Sequence, residues 1–516
     1  MTRYFNTAGP CSADIHYMLP PDRRLKGVRA LIDKRLYFVL HAPRQIGKTT
    51  SVLALARALT DEGRFAAVLV SMETGAAFPR DIGAAELAIL DAWRSSAEAR
   101  LPEALQPPPW PDAAPGSRIR SALSAWARRC PRPLVVFLDE IDALEGEVLL
   151  SVLRQLRDGY ETRPAAFPWS LALIGMRDVR DYKTAAGGTD RAHSASPFNI
   201  MESSLTMLDF SAAEVAELYA QHGADTGQRF DEGAVSRAFE LSRGQPWLVN
   251  ALAARATTDV APDLTRPLTA VEINAARELL IRRQDTHLDS LTERLQEARV
   301  RRVIAPMLAG ELLAKVPDDD RRLVVDLGLV RRDPAGGLEV ANPIYREVIA
   351  RALAQGVFDA MPRVPATWLD ARGGIDCPRL LAAWLAFWRQ HGEALLVAAP
   401  YAEVAAQLVM MAFLDRVANG GGVIDREYAL GRGRIDLCLR YGPTTLVVEL
   451  KVWRSRQRDP VTQGLAQIDA YLEAHGDATA WLVVFDQRPR RPAPSKRIGS
   501  ARRRTPSGRA VTVVRL

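Results

Sequence analysis

Two stretches of this sequence carry residue types at spacings that chemistry can use. The first is Ala42-Pro43-Arg44-Gln45-Ile46-Gly47-Lys48-Thr49, followed directly by Thr50. Backbone N–H groups of such a loop, and of the helix it opens, can receive phosphates, with Lys48 reaching the outer phosphates and Thr49 offering a hydroxyl to Mg2+. Ala42 stands where the strict pattern has glycine, which is expected to cost one turn some backbone freedom. The other half of such a site is Leu134-Val135-Val136-Phe137-Leu138-Asp139-Glu140, an apolar run ending in two carboxylates. Asp139 would hold Mg2+ through water, and Glu140 would orient or deprotonate the attacking water. Asp139-Glu140 alone could be a solvated acidic turn, but both motifs in this order point to ATP or GTP with Mg2+, and ATP is the cofactor expected. Downstream, Arg177 is a candidate sensor of the terminal phosphate, the alternative being an ion pair with Asp178 or Asp181. Arg243, just before Gly244-Gln245-Pro246, is a weaker candidate to approach the nucleotide.

The second stretch places Asp436 thirteen residues before Glu449-Leu450-Lys451. If both lie on strands, Glu449 and Lys451 share one face and Leu450 points to the other. Carboxylates from neighbouring strands can hold a Mg2+ that polarises a phosphodiester and activates water, with Lys451 orienting that water or stabilising developing charge. Plainer readings stay open: Asp436 satisfied by Arg434 or Arg432, and Glu449 paired with Lys451 as a structural ion pair. Glu403 and Glu427 compete for the role of a further acidic ligand.

The elements that must position these residues follow from periodicity. Apolar runs at Leu36–Leu40, Ala67–Val70, Leu134–Leu138 and Leu171–Ile174 have strand length and alternate with helical segments, which predicts an α/β fold with a parallel sheet covered by helices. Prolines between Pro107 and Pro115 suggest a surface loop. Residues 258–355 read as helices closed by a hairpin, Leu329–Arg332 and Leu338–Ala341 about an Asp333–Gly337 turn, the pattern of a winged helix. Beyond a linker at 356–374, residues 375–516 read as long helices, then strands Val423–Leu430, Arg434–Arg440 and Thr445–Val452, a further helix, and a strand at Trp481–Phe485. Domains are therefore expected at 1–257, 258–355 and 375–516.

The front of the chain resembles AAA-like P-loop ATPases allied to the STAND and origin-recognition types. The residues concerned are Tyr4–Pro10, Pro43–Thr49, Leu138–Asp142, Ser196–Ile200 and Gly244–Pro246, spread over roughly the first 350 residues. The resemblance implies a nucleotide-driven switch as much as a fast hydrolase, a helical lid carrying the Gly-Gln-Pro element, and room for a homo-oligomer, although no arginine acting in trans can be picked out. Residues 401–486 resemble the RecB-like branch of the PD-(D/E)XK nuclease superfamily, on Gly433–Asp436, Glu449–Lys451 and Gln467-Ile468-Asp469-Ala470-Tyr471. That resemblance implies a restriction-endonuclease-like α/β domain and adds Gln467 and Tyr471, one helical turn apart, to the catalytic set.

Composition bounds the rest. The 516 residues, 48% hydrophobic and 25% charged, fit a globular protein of several domains. No apolar stretch approaches the roughly 20 residues of a membrane helix, and no export-signal pattern opens the chain, so a cytoplasmic protein without a membrane partner is expected. The net charge of +7 is uneven: residues 487–516 hold ten Arg or Lys and no acid, and the remainder has 58 basic against 61 acidic residues. Such a segment is either a solvated tail or a footprint for phosphate backbone, which makes nucleic acid the expected partner, DNA ahead of RNA. The function expected is nucleotide hydrolysis coupled to Mg2+-dependent DNA cleavage; the alternative is an ATP-dependent switch whose nuclease-like module only binds nucleic acid.

Overall fold

The computed structural model describes residues 3–176, 200–283, 286–308, 313, 316–333, 336–360, 366–371, 373–398, 405–418, 422–430, 433–453, 458–474, 478–488 and 492–516. The chain divides into two compact units, Met1–His287 with Arg321–Tyr345 and Leu288–Asp320 with Arg346–Leu516.

In the first unit, β1 (Tyr37–His41), β2 (Ala66–Ser71), β3 (Leu134–Asp139), β4 (Ser170–Gly175) and β5 (Met201–Thr206) form a parallel sheet in the order β2-β3-β4-β1-β5. Apolar side chains leave both faces of the strands. Tyr37 and Val39 join a cluster with Trp93, Trp126 and Leu156, while Phe38 and Leu40 join Val52, Leu55 and Leu59 of the Lys48–Asp61 helix. Burial on both faces explains why the strands read as continuous apolar runs. β5, by contrast, reads Met-Glu-Ser-Ser-Leu-Thr and escapes an apolar pattern; it lies at one edge of the sheet, although β2 at the other edge is an apolar run. The proline stretch is more than a surface loop: Pro107 is buried, Arg94 donates to the Pro108 carbonyl at 2.8 Å, and the Trp110 indole donates to the Leu90 carbonyl at 3.0 Å.

Beyond the sheet, the helices Ala212–Thr226, Glu232–Ser242 and Pro246–Arg255 follow. Ser211 and Glu214 cap the first in a reciprocal box, Asp231 caps the second through the Ala234 N–H, and Pro246 occupies the first turn of the third. The expected hairpin forms as β6 (Val330–Arg332) and β7 (Leu338–Val340), with Arg331 and Glu339 paired across it at 2.6 Å. It lies in the first unit and the Ala298–Leu308 helix in the second, so the division of the chain runs through the segment read as a winged helix.

In the second unit, β8 (Val423–Leu430), β9 (Gly433–Tyr441) and β10 (Thr444–Trp453) run antiparallel in sequence. β11 (Thr479–Asp486) lies parallel to β10, β13 (Ala510–Arg515) parallel to β11, and β12 (Gly499–Arg504) antiparallel to β13, giving the order β12-β13-β11-β10-β9-β8. The Val461–Ala474 helix packs Ile468, Tyr471 and Leu472 against Cys438, Val447, Leu482 and Val484. Close approach requires Gly464, where a Cβ would stand 2.4 Å from Leu482. Trp384 and Trp388 are core residues, the latter 5.2 Å from the Phe485 ring. Within the basic carboxy-terminal segment, Gly499–Arg504 and Ala510–Arg515 are strands of this sheet and not a loose tail. Among the described residues no helix is long and apolar enough to cross a membrane.

Candidate functional site

The phosphate-binding loop forms where β1 meets the Lys48–Asp61 helix. Left-handed backbone falls at Gln45 (φ 59°) and Gly47 (φ 91°) and not at Ala42, so alanine is accommodated at the position where glycine was expected. Ala42 is buried and anchors the loop by donating its N–H to the Gly175 carbonyl at 3.2 Å. Pro43 is half-buried, Arg44 and Gln45 are exposed, and Ile46 packs into the core. Among the described residues no side chain caps the helix at Gly47, which leaves its amino terminus suited to an anion.

Lys48 is 9% exposed and donates to the carbonyls of Ala42 and Pro43, each at 2.8 Å. Thr49 donates its hydroxyl to Asp139 Oδ2 at 2.9 Å. A hydroxyl beside a carboxylate is the hard-oxygen donor set that Mg2+ takes, so these two residues fit the metal. The other Asp139 oxygen accepts the Glu140 N–H at 3.0 Å, and Glu140 itself is held at φ 54°, a strained conformation for this residue. Burial lowers the Lys48 pKa against the opposing pull of Glu140, Asp142 and Asp139. Burial raises that of Asp139, against the Thr49 hydrogen bond, and raises that of Glu140, with Asp139 and Asp142 pushing the same way. A group meant to accept a proton from water gains from a raised pKa.

Several contacts here have no local sequence signature. Thr50 accepts the Cys11 N–H at 3.0 Å, and the Trp247 indole donates to the Thr7 carbonyl at 2.8 Å, so the strap 4–11 links the phosphate-loop helix to the helix after Gly-Gln-Pro. Gln245 caps that helix through the Leu248 N–H at 2.6 Å, a role its place before a proline could have suggested. Gly244 (φ 82°) is held so close to Phe210 that a Cβ would stand 1.9 Å from its carbonyl oxygen. Arg243 is exposed, and Arg177 lies outside the described residues.

In the second unit, β9 and β10 pair from Thr444↔Tyr441 to Val448↔Leu437. Continued by one residue, that register sets Asp436 beside Glu449; the Asp436 side chain, like that of Glu427, lies outside the described residues, as does Glu403 altogether. Glu449 is 1% exposed and accepts a hydrogen bond from Lys451 Nζ at 2.7 Å. As an oxygen donor in a dry setting Glu449 suits Mg2+, although among the described residues no group of three metal-ligating side chains assembles. Gln467 and Tyr471 share the Val461–Ala474 helix; Tyr471 is buried with its hydroxyl 3.6 Å from the Cys438 thiol, and among the described residues the buried Gln467 side-chain oxygen has no hydrogen-bond partner.

No protein-family model matches the chain, and no curated protein does. Among solved structures, the chain is similar to a Walker-type ATPase of Pyrococcus abyssi, with 13% identity and a TM-score of 0.47 over 67% of this chain and 99% of that one. It is also similar to the Holliday junction branch migration motor RuvB of Thermotoga maritima, with 15% identity, a TM-score of 0.34, and coverage of 66% and 97%. For Cdc6p of Pyrobaculum aerophilum the identity is 11% and the TM-score 0.38, over 79% and 97%. Likeness at this level carries no function across, and the chemistry has to be read from the side chains themselves.

Proposed function

We propose that this chain binds and hydrolyses ATP in its first unit and that the nucleotide controls Mg2+-dependent cleavage of DNA by its second. The observation that supports this most is the convergence of Lys48, Thr49 and Asp139 on the uncapped amino terminus of the Lys48–Asp61 helix. Loop N–H groups bind the phosphates there, Lys48 exchanges its two carbonyl partners for phosphate oxygens, and Thr49 and Asp139 hold the metal. Mg2+ supplies neutralisation of phosphate charge. Glu140, its pKa raised by burial, takes the proton of the attacking water. In the second unit Asp436 and Glu449 hold a metal and Lys451 stabilises the charge that develops on the phosphodiester, with Gln467 and Tyr471 positioning the helix beside them. Arg177 completes the reading as a sensor of the terminal phosphate. A second reading draws on the burial of Glu449 against Lys451: the pair is structural, and the unit holds nucleic acid without cutting it.

A cleavage assay on linear, circular and single-stranded DNA, with Mg2+ and with or without ATP, tests both. Lys48→Ala should lose nucleotide binding, Glu140→Gln should bind ATP and not turn it over, and Asp436→Ala should lose cleavage with ATP turnover intact. DNA bound by the wild type but never cut, in either nucleotide state, leaves only the second reading.

A further inference from the structure

The fold sorts the basic residues of the carboxy-terminal segment. Arg488 is fixed by Asp486, with hydrogen bonds of 2.8 and 2.7 Å, and lies 3.5 Å over the Trp453 ring. Arg515 is paired with Asp459, and Arg509 donates to the Leu472 carbonyl. These three serve the sheet. Arg502, Arg503 and Arg504 differ: they are consecutive on β12, the outermost strand, and all are exposed. Their register partners on β13 are Thr512, Val511 and Ala510, none of them charged. Arg503 donates to the Arg502 carbonyl at 3.1 Å and Arg504 to the Gly508 carbonyl at 2.7 Å, and among the described residues no carboxylate pairs with any of the three.

We propose that β12 is a phosphate-backbone contact, in which Arg502, Arg503 and Arg504 bind the sugar-phosphate strand of DNA without reading its bases. It rests on the reading above only for the choice of DNA. Along a strand, residues rise by about 3.4 Å. Successive side chains alternate between the faces of a strand, so Arg502 and Arg504 share one face about 7 Å apart and Arg503 stands on the other. On an edge strand the long side chains of both faces can reach a polyanion that carries, on each strand of the B-form duplex, one charge per about 3.4 Å of helix axis. Arginine suits the task because its planar fork meets phosphate oxygens in pairs. A lipid surface is the poorer fit: the row carries no large apolar side chain to enter a bilayer, with only Ala501 and Ser500 preceding it. The row also leaves the edge strand's outer main chain open, and its charge keeps that edge from pairing with another chain. Charge of one sign on both faces of a fixed edge strand goes beyond what such protection needs.

The test is binding of a short fluorescent duplex by the full chain in EDTA, where metal-dependent cutting cannot contribute, over a range of salt. Arg502→Gln, Arg503→Gln and Arg504→Gln combined should weaken binding at least tenfold near 0.1 M salt, and lower the slope of log K against log salt by about 2 to 3. Each single change should lower it by about 0.9, a readout that does not depend on the triple variant folding. The three Arg→Lys changes together should keep most of the slope. An unchanged slope in the Gln variants, wild-type chain that binds no duplex, or binding to anionic vesicles but not to DNA would each overturn the assignment. Wild type that binds through β12 yet never cuts would end the cleavage reading and leave this one standing; cutting with an unaltered salt slope would do the reverse.

Discussion

Asp139 and Glu449 are both buried carboxylates on sheet strands with a hydrogen-bonding neighbour, but they are built differently. Asp139 ends β3, its partner Thr49 comes from a helix opened by a contiguous loop, and its other oxygen accepts the N–H of the next residue, Glu140. Glu449 sits within β10 between two other strands, its partner is two residues away on the same strand, and its supposed companion Asp436 reaches it only through strand register. A site made by local backbone announces itself in eight consecutive residues. A site made by register announces itself only as isolated residues whose meaning depends on pairing. The two carboxylates should accordingly respond differently to removal.

The largest effect is expected at Glu449. Glu449→Ala leaves a mostly buried ammonium without its carboxylate, at a cost of about 3 kcal/mol. Lys451→Met added to it should restore most of that loss. Asp139→Ala removes a carboxylate whose ionised form burial already disfavours, and should change stability by less than about 1 kcal/mol while removing ATP turnover. Denaturant unfolding of the four proteins measures this. Equal losses for the two single changes would mean that the sites are not built differently in the way described.

A smaller effect blurs the contrast. Gly328 has φ 73°, and a Cβ there would lie 2.7 Å from the Pro43 side chain, so a residue just before the β6–β7 hairpin supports the phosphate loop. Gly328→Ala should cost about 1 to 2 kcal/mol through backbone conformation. By displacing Pro43 it should also weaken ATP binding, by roughly tenfold, or about 1.4 kcal/mol. Nucleotide titration alongside thermal unfolding separates the two. Lost stability with unaltered ATP affinity would leave the loop a purely local structure.

The sequence made the phosphate loop, the four apolar strands of the first sheet and the Asp333–Gly337 hairpin legible, because each is encoded by neighbouring residues: a Gly-Lys-Thr end, an apolar run, a turn rich in glycine. What stayed hidden depends on distant partners. β5 carries no apolar run and is held by its parallel pairing with β1, and the strap's bonds to Thr50 and Trp247 join residues far apart in sequence. In the basic segment, Val511–Leu516 reads as a strand, whereas Arg502–Arg504 reads as a tail because an edge strand needs no apolar face. Pairing also hides in sequence: Asp320 is 3% exposed and paired with Arg299 at 2.6 Å and Arg302 at 3.1 Å. The roles of Gln467 and Tyr471 came from resemblance, and the core position of Tyr471 fits a residue that holds its helix in place.

The smallest expected effect concerns Glu140 and sharpens the electrostatic side of the comparison. Its folded pKa lies above the ordinary glutamate value because burial, then Asp139 and Asp142, disfavour the charge. Above the folded pKa the residue is ionised in both folded and unfolded chains, so the folded state bears the whole cost of that buried charge. As pH falls through the folded pKa the carboxyl takes up a proton in the folded state first, the cost is relieved, and below the unfolded pKa it is gone. Glu140→Gln never carries the charge. It should therefore unfold slightly later than wild type at pH 8, by about 1 °C, and the difference should shrink as pH falls toward the ordinary carboxylate range. ATP turnover by the wild type should fall over the same interval, because the group that accepts the proton of water is being filled. Melting curves and turnover measured from pH 8 to pH 4 would show the two changes together; a Glu140→Gln advantage that grows with acidity would mean that Glu140 is stabilised as a carboxylate and that burial does not govern it.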